Sequence, residues 1–264
     1  MWRNAYQIEW AVEEDFLYIR ASWGNHKFAL QPFGPHQRLV SALETWQRYF
    51  TGLGLPFVMQ GVEAPVVNLI QEQLPGQFEI VSDRDNFDYV YRAEDLIELK
   101  GRSYHSKKNH VNSFRKNYSD YQYLPLTTDL IGQCVENTIE WCKKRGCYKD
   151  PLLLAEKDAI IEVLNNFSVL GLEGGVITIG DKVEAFSFGE PLNTDTAVIH
   201  VEKGNPDIKG IYAVINQEFC QNSWSHMEYI NREEDMGIPG LRKAKQSYHP
   251  VKMVEKFVIT SHRK

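Results

Sequence analysis

The apolar residues of this chain keep changing period, from two to about 3.6 and back, which restricts it to folds that interleave strands and helices. Tyr6, Ile8, Trp10 and Val12 alternate with polar or small residues, Glu13 to Asp15 supply a turn, and Phe16 to Ala21 returns as a second strand. Leu39, Val40, Leu43, Trp46 and Phe50 share one face of a helix that Gly52 and Gly54 stop. A strand at Phe57 to Met59, a helix over Glu63 to Leu74 and strands at Phe78 to Ser82 and Phe87 to Tyr91 follow.

Further on, Asp129 reads as the N-cap of a helix that runs to Arg145 and closes at Gly146, with Ile131, Cys134, Val135, Ile139 and Cys142 inward. A second helix, Ala155 to Phe167, ends at Gly171. Strands are expected at Gly175 to Ile179, Val183 to Phe188 and Thr196 to Glu202, the first two joined by the two-residue turn Gly180-Asp181. A helix with Ile211, Val214, Ile215 and Phe219 on one stripe, then strands at Met227 to Asn231 and Lys256 to Thr260, complete the order. The reading is an α/β (α+β) chain with mixed, mostly antiparallel sheets and flanking helices. At 264 residues it is long for one core, and the division expected is 1–95 and 96–264, with a connector at 96–128.

Several classes drop out on motif grounds. There is no Gly-x-Ser-x-Gly elbow, Walker loop, His-Glu-x-x-His or Rossmann glycine fingerprint, so hydrolase, ATPase, zinc protease and dehydrogenase readings lose their support. Cys134, Cys142, Cys147 and Cys220 form no Cys-x-x-Cys pair, so neither a zinc site nor a disulfide framework is expected, and no metal is assigned. The longest apolar runs are strand-sized and no secretion signal is visible, which makes the cytosol the expected compartment.

Charge is uneven. Net charge is −6, yet Lys100 to Tyr118 and Gly240 to Lys252 contain no acid. Arg102, Lys107, Lys108 and Arg115 in the first segment, and Arg242 and Lys245 in the second, are the candidates for phosphate contact. A solvated helix face balanced by acids elsewhere is the competing account. Loop 203–210 leads from a strand to a helix N-terminus, where backbone N–H groups can cradle a pyrophosphate. Lys203, Lys209, Gly210, Ile211 and Tyr212 are the residues expected there, although the Arg/Gln-x-x-Gly-x-Gly/Ala spacing is missing. On the preceding strand, alternation places Val198, His200 and Glu202 on one face, so His200 and Glu202 are expected to project together as candidate bases. Tyr248, in Lys245-Gln246-Ser247-Tyr248-His249-Pro250, is the candidate acid.

Five segments carry a resemblance: Lys100 to His110, His200 to Lys203, Gly210 to Phe219, Asn231-Arg232-Glu233-Glu234-Asp235-Met236-Gly237, and Gly240 to Pro250. Together they resemble the bacterial family related to the C-terminal domain of phosphatidylglycerol lysyltransferases. The resemblance implies two GNAT-type acyltransferase halves in tandem, an order of elements the second half also shows. The leading expectation for such a chain is transfer of an aminoacyl or acyl group from aminoacyl-tRNA or acyl-CoA to an amine or hydroxyl on a small molecule or lipid headgroup. The alternative is a binding module that kept the fold and lost the chemistry. Because the first hairpin begins almost at once, residues 1–95 are also expected to form an incomplete half with one sheet face uncovered by its own helices.

Overall fold

The computed structural model describes residues 1–262. The chain divides into two compact units. The first holds residues 2–87, 234–238 and the chain from 254 onward, and the second holds residues 88–233 and 239–253, with Met1. The boundary expected at 95/96 falls inside a helix of the second unit, and the end of the chain returns to the first.

The early elements are β1 (Glu9–Glu13), β2 (Phe16–Trp23), β3 (His26–Ala29), α1 (Leu39–Gly52), β4 (Val58–Glu63), α2 (Ala64–Gln73) and β5 (Phe78–Ser82). They are followed by β6 (Asp88–Arg92), α3 (Ala93–Glu98), α4 (His105–Asn117), β7 (Gln122–Pro125), α5 (Ile131–Arg145), α6 (Pro151–Asn165) and α7 (Phe167–Leu170). The last are β8 (Glu173–Ile179), β9 (Lys182–Pro191), β10 (Thr196–Gly204), α8 (Ile211–Ser223), β11 (Tyr229–Asn231), α9 (Pro239–Gln246), β12 (Lys252–Val254) and β13 (Lys256–Ser261).

In the first unit a six-stranded sheet runs β1-β2-β3-β4-β13-β5. Glu14 and Asp15 turn β1 into β2 with φ of 48° and 68°, the left-handed pair a two-residue hairpin demands. Leu39, Leu43, Trp46 and Phe50 of α1 recur at helical spacing and join Val66, Val67 and Ile70 of α2 in one core cluster with Met59 and Ile259. Trp10 and Val12 on β1 and Val81 on β5 stand 71%, 65% and 53% exposed.

The second sheet has seven strands in the order β12-β6-β11-β10-β9-β8-β7; β6–β11, β10–β9, β9–β8 and β8–β7 are antiparallel and β10–β11 is parallel. The Gly180-Asp181 turn forms as expected, with Ile179 opposite Lys182 and Gly180 at φ 59°. Asp129 is not a helix cap: it lies in a 3-10 turn, Thr128–Leu130, that leads into α5, and Leu130 takes the cap position. A capping carboxylate does open α6, where Asp150 accepts from the N–H groups of Leu152 and Leu153 at 2.9 and 3.3 Å. The mixed α/β architecture with two mostly antiparallel sheets is the one read from the sequence. Among the described residues no helix is long and apolar enough to cross a membrane.

Candidate active site

The site is organised by one extra residue in β10. Ile199 opposes Gly189 on β9 and Val201 opposes Phe188, so His200 is a bulge without a partner of its own. Beyond it the alternation of side chains is reversed. Ala197 and Ile199 belong to the cluster around α8, whereas Val201 belongs to the cluster around α6. Glu202 therefore returns to the α8 side and Lys203 faces α6. The expectation that His200 and Glu202 project together is corrected by this bulge, because simple alternation does not run through it.

Glu202 meets Arg232, the residue immediately after β11, in an ion pair whose side chains are only 13% and 12% exposed. The parallel pairing of β10 with β11 sets Asn231, the last residue of β11, beside Val198, so Arg232 leaves the shorter strand alongside the continuing β10. The Arg232 guanidinium lies 4.8 Å from the Tyr248 ring centroid and 5.6 Å from that of Tyr91. Both phenols are anchored inside the unit. Tyr91 donates its hydroxyl to the Lys245 carbonyl at 2.9 Å, and the Tyr248 carbonyl accepts from Tyr104 at 3.1 Å. Burial pushes the Tyr248 hydroxyl well above its ordinary value against the opposing pull of Arg232, so it stays protonated. Glu202 Oε1 is buried and has no hydrogen-bond partner among the described residues.

Lys107, in the first turn of α4, places Nζ 4.0 Å from the Tyr248 ring centroid. Burial, and then the charge of Arg232, lower its ammonium to about 8, and Glu202 only partly offsets them. Lys245 is buried on the same side and donates to the carbonyl oxygens of Arg232 and, at 3.2 Å, Glu233. Glu233 sits at φ 55° and its carboxylate turns to His200. The imidazole is bracketed, Nδ1 at 2.8 Å from Glu233 and Nε2 at 3.0 Å from Glu190. Burial works against its charge, and the two carboxylates outweigh that, so its pKa is raised.

Of the acids in Asn231 to Gly237, Glu233 serves His200 and Asp235, fully buried, pairs with Arg84 at 3.4 Å. The Glu233 carbonyl also holds Lys245 of the Gly240 to Lys252 segment.

The expected anion loop is built differently from its sequence. Lys203 is buried, 2.8 Å from Glu156 and 3.6 Å from the Trp141 ring centroid, so its ammonium is already engaged within the protein. Gly210, at φ 91°, serves the approach of α4: a Cβ there would lie 2.7 Å from the His110 carbonyl oxygen. The N–H groups of Ile211, Ala213 and Val214 are bonded to the carbonyls of Ile208 and Gly210. Ile211 is core, Tyr212 donates to the Gly204 carbonyl at 3.0 Å, and Lys209 is exposed. Among the basic candidates, Arg102 and Lys108 are exposed, and Arg242 is half-buried. Arg115 is engaged by Glu218 at 2.9 Å and Tyr121 at 3.0 Å. Sequence reasoning missed Arg232 and Tyr91. Arg232 stood inside a noted motif, but only the parallel β10–β11 register shows that it reaches Glu202.

A sheet of this order, flanked by helices and interrupted by a bulge in β10 next to its parallel neighbour β11, defines a protein of the GNAT-like acyltransferase fold. A tandem GNAT protein from the clavulanic acid biosynthesis pathway shares it, with a TM-score of 0.51 at 7% identity over 94% of this chain and 80% of that one. The chain belongs to the family of the phosphatidylglycerol lysyltransferase C-terminal domain, whose family model matches residues 1–260. A conserved protein of unknown function from Bacteroides thetaiotaomicron VPI-5482 is 39% identical, with a TM-score of 0.91 over 98% of this chain and 88% of that one. L-PGS from Bacillus licheniformis has the same fold at 13% identity, with a TM-score of 0.69 over 100% of this chain and 86% of that one. An uncharacterized protein of Mycoplasmoides gallisepticum is 22% identical over 65% of this chain, which spans 55% of that relative's length.

Proposed function

We propose that this chain is a cytosolic transferase that moves an aminoacyl or acyl group from aminoacyl-tRNA or acyl-CoA to an amine or hydroxyl, on a small molecule or a lipid headgroup. The observation that carries the reading is Glu202 Oε1, a buried carboxylate oxygen without a partner among the described residues, in a pocket of side chains that also holds Tyr248 and Lys107. Arg232 Nε and Nη1 beside it are likewise buried without a partner among the described residues, and unsatisfied buried polar groups of this kind are ones that catalysis or ligand binding can use. In this reading Arg232 fixes Oε2, and Oε1 takes the proton of the attacking amine or hydroxyl. Tyr248, which keeps its proton, hands a hydrogen bond to the departing oxygen or sulfur. His200, bracketed by Glu190 and Glu233 with its pKa raised by them, positions Glu233 instead of acting as the base.

Exposed Arg102 and Lys108 suit a donor with several phosphates, and so favour tRNA. The second reading, a binding module without chemistry, is favoured by the α8 N-terminus, whose glycine and first-turn amides are already engaged within the protein. The test is transfer from radiolabelled aminoacyl-tRNA, and separately from acetyl-CoA, to phosphatidylglycerol vesicles and to simple amines. Glu202→Gln, checked by circular dichroism to be folded, is expected to slow transfer by roughly a hundredfold or more. A wild-type rate in that variant overturns the role of Glu202, and no transfer by the wild type from either donor selects the binding module.

A further inference from the structure

Lys107 is set apart from the other inward lysines of its unit. Lys203 has Glu156 at 2.8 Å, and Lys245 has two carbonyl oxygens. For Lys107 no carboxylate of the described residues lies within ion-pair distance, and its nearest charged neighbours are Arg232 and, more weakly, Glu202. It also occupies the first turn of α4, a turn with no acid, where the helix dipole presents its positive end. Burial, a neighbouring guanidinium and a helix N-terminus all disfavour the ammonium, and the tyrosine ring offers only a weak compensation. The side chain is nevertheless only half-buried, so its amine is reachable.

We propose that Lys107 is a site of Nε-acylation by activated acyl groups, thioesters or acyl phosphates, independent of the transfer reaction above. The uncharged Nζ attacks the acyl carbonyl and a C–N bond forms. The C–S or C–O bond breaks, thiolate or phosphate leaves, and the ammonium proton lost from Nζ passes to water. The product is a neutral amide lying over Tyr248, which removes one positive charge from beside Arg232.

A pKa of about 8 leaves on the order of a quarter of the amine uncharged near pH 7.5, against about a thousandth for an ordinary lysine. Part of that advantage is returned, because nucleophilicity falls as basicity falls. The exposed neighbour Lys108 is the internal reference. The intact protein is incubated with acetyl phosphate and, in parallel, with acetyl-CoA over a pH series, and acetylation at each lysine is followed by peptide mass spectrometry. Lys107 is expected to react roughly tenfold faster than Lys108 below about pH 8, with the two converging toward about pH 10 and the difference vanishing in the urea-unfolded chain. Reaction with either donor supports the site, and the faster donor identifies which acyl class supplies it. Equal or slower acetylation of Lys107 in the folded protein, or an advantage that survives unfolding, overturns the proposal.

Discussion

Arg232 and Glu202 hold each other inside the second unit, one just past the end of β11 and the other near the end of β10, with side chains 12% and 13% exposed. Removing one partner of such a pair strands the other in a poorly solvated place. Arg232→Met and Glu202→Gln are each expected to cost roughly 3 kcal/mol of stability, and the double variant should recover much of the loss. Urea unfolding of all four proteins gives the coupling, and strictly additive losses would remove the pair from this account.

His200 adds a pH dependence of defined sign. Its folded pKa is raised, so its contribution is fully present below the unfolded value of about 6.5 and is lost as pH rises through the folded value. The wild type should therefore lead His200→Gln in stability by more at about pH 6 than at about pH 9. A lead that stays constant, or grows with pH, contradicts the bracketing by Glu190 and Glu233.

Gly210 is a packing residue more than a ligand residue. With φ at 91° and the His110 carbonyl 2.7 Å from where a Cβ would stand, Gly210→Ala is expected to cost about 1–3 kcal/mol and to lower the melting temperature by several degrees. Calorimetry showing wild-type melting would mean that α4 and α8 yield easily there.

If tRNA is the donor, the exposed cations should govern its salt dependence. Arg102→Ala and Lys108→Ala are each expected to reduce the slope of log affinity against log salt by about one, and Arg115→Ala by less, since Glu218 already neutralises it. Filter binding across a salt series decides this, and an unchanged slope for Lys108→Ala ends the case for α4 as a phosphate contact.

What could be read beforehand was whatever the chain encodes locally. The Glu13 to Asp15 turn, the Gly180-Asp181 hairpin, and the stripes of α1 and α8 depend on neighbours a few residues away and are present, whereas α5 buries Cys134 and Cys142 as expected but buries Asn137, Thr138 and Trp141 more fully than Val135 and Ile139. The bulge at His200 left no trace, because Ala197 to Val201 is apolar on both faces except for His200 itself, so a one-residue phase change alters no visible pattern. Helix α9 was missed for a related reason. Only Lys245 of its eight residues is buried, and without an apolar stripe a helix has no period to detect. Arg232 and Tyr91 required the order β6-β11-β10, in which β6 and β11 pair across more than a hundred residues of chain.

The placement of β13 governs how the protein can be made. Lys256–Ser261 fills the slot between β4 and β5, pairing with both, so the first sheet is left with a gap until residue 261 has been synthesised. On the ribosome, a sheet whose strands β4 and β5 emerge before the second unit is thus finished after it, and β4 and β5 wait with unpaired edges while that unit is translated. Such edges are sites of mispairing, and closing this one spans nearly two hundred residues of chain, the kind of long-range contact that makes folding slow.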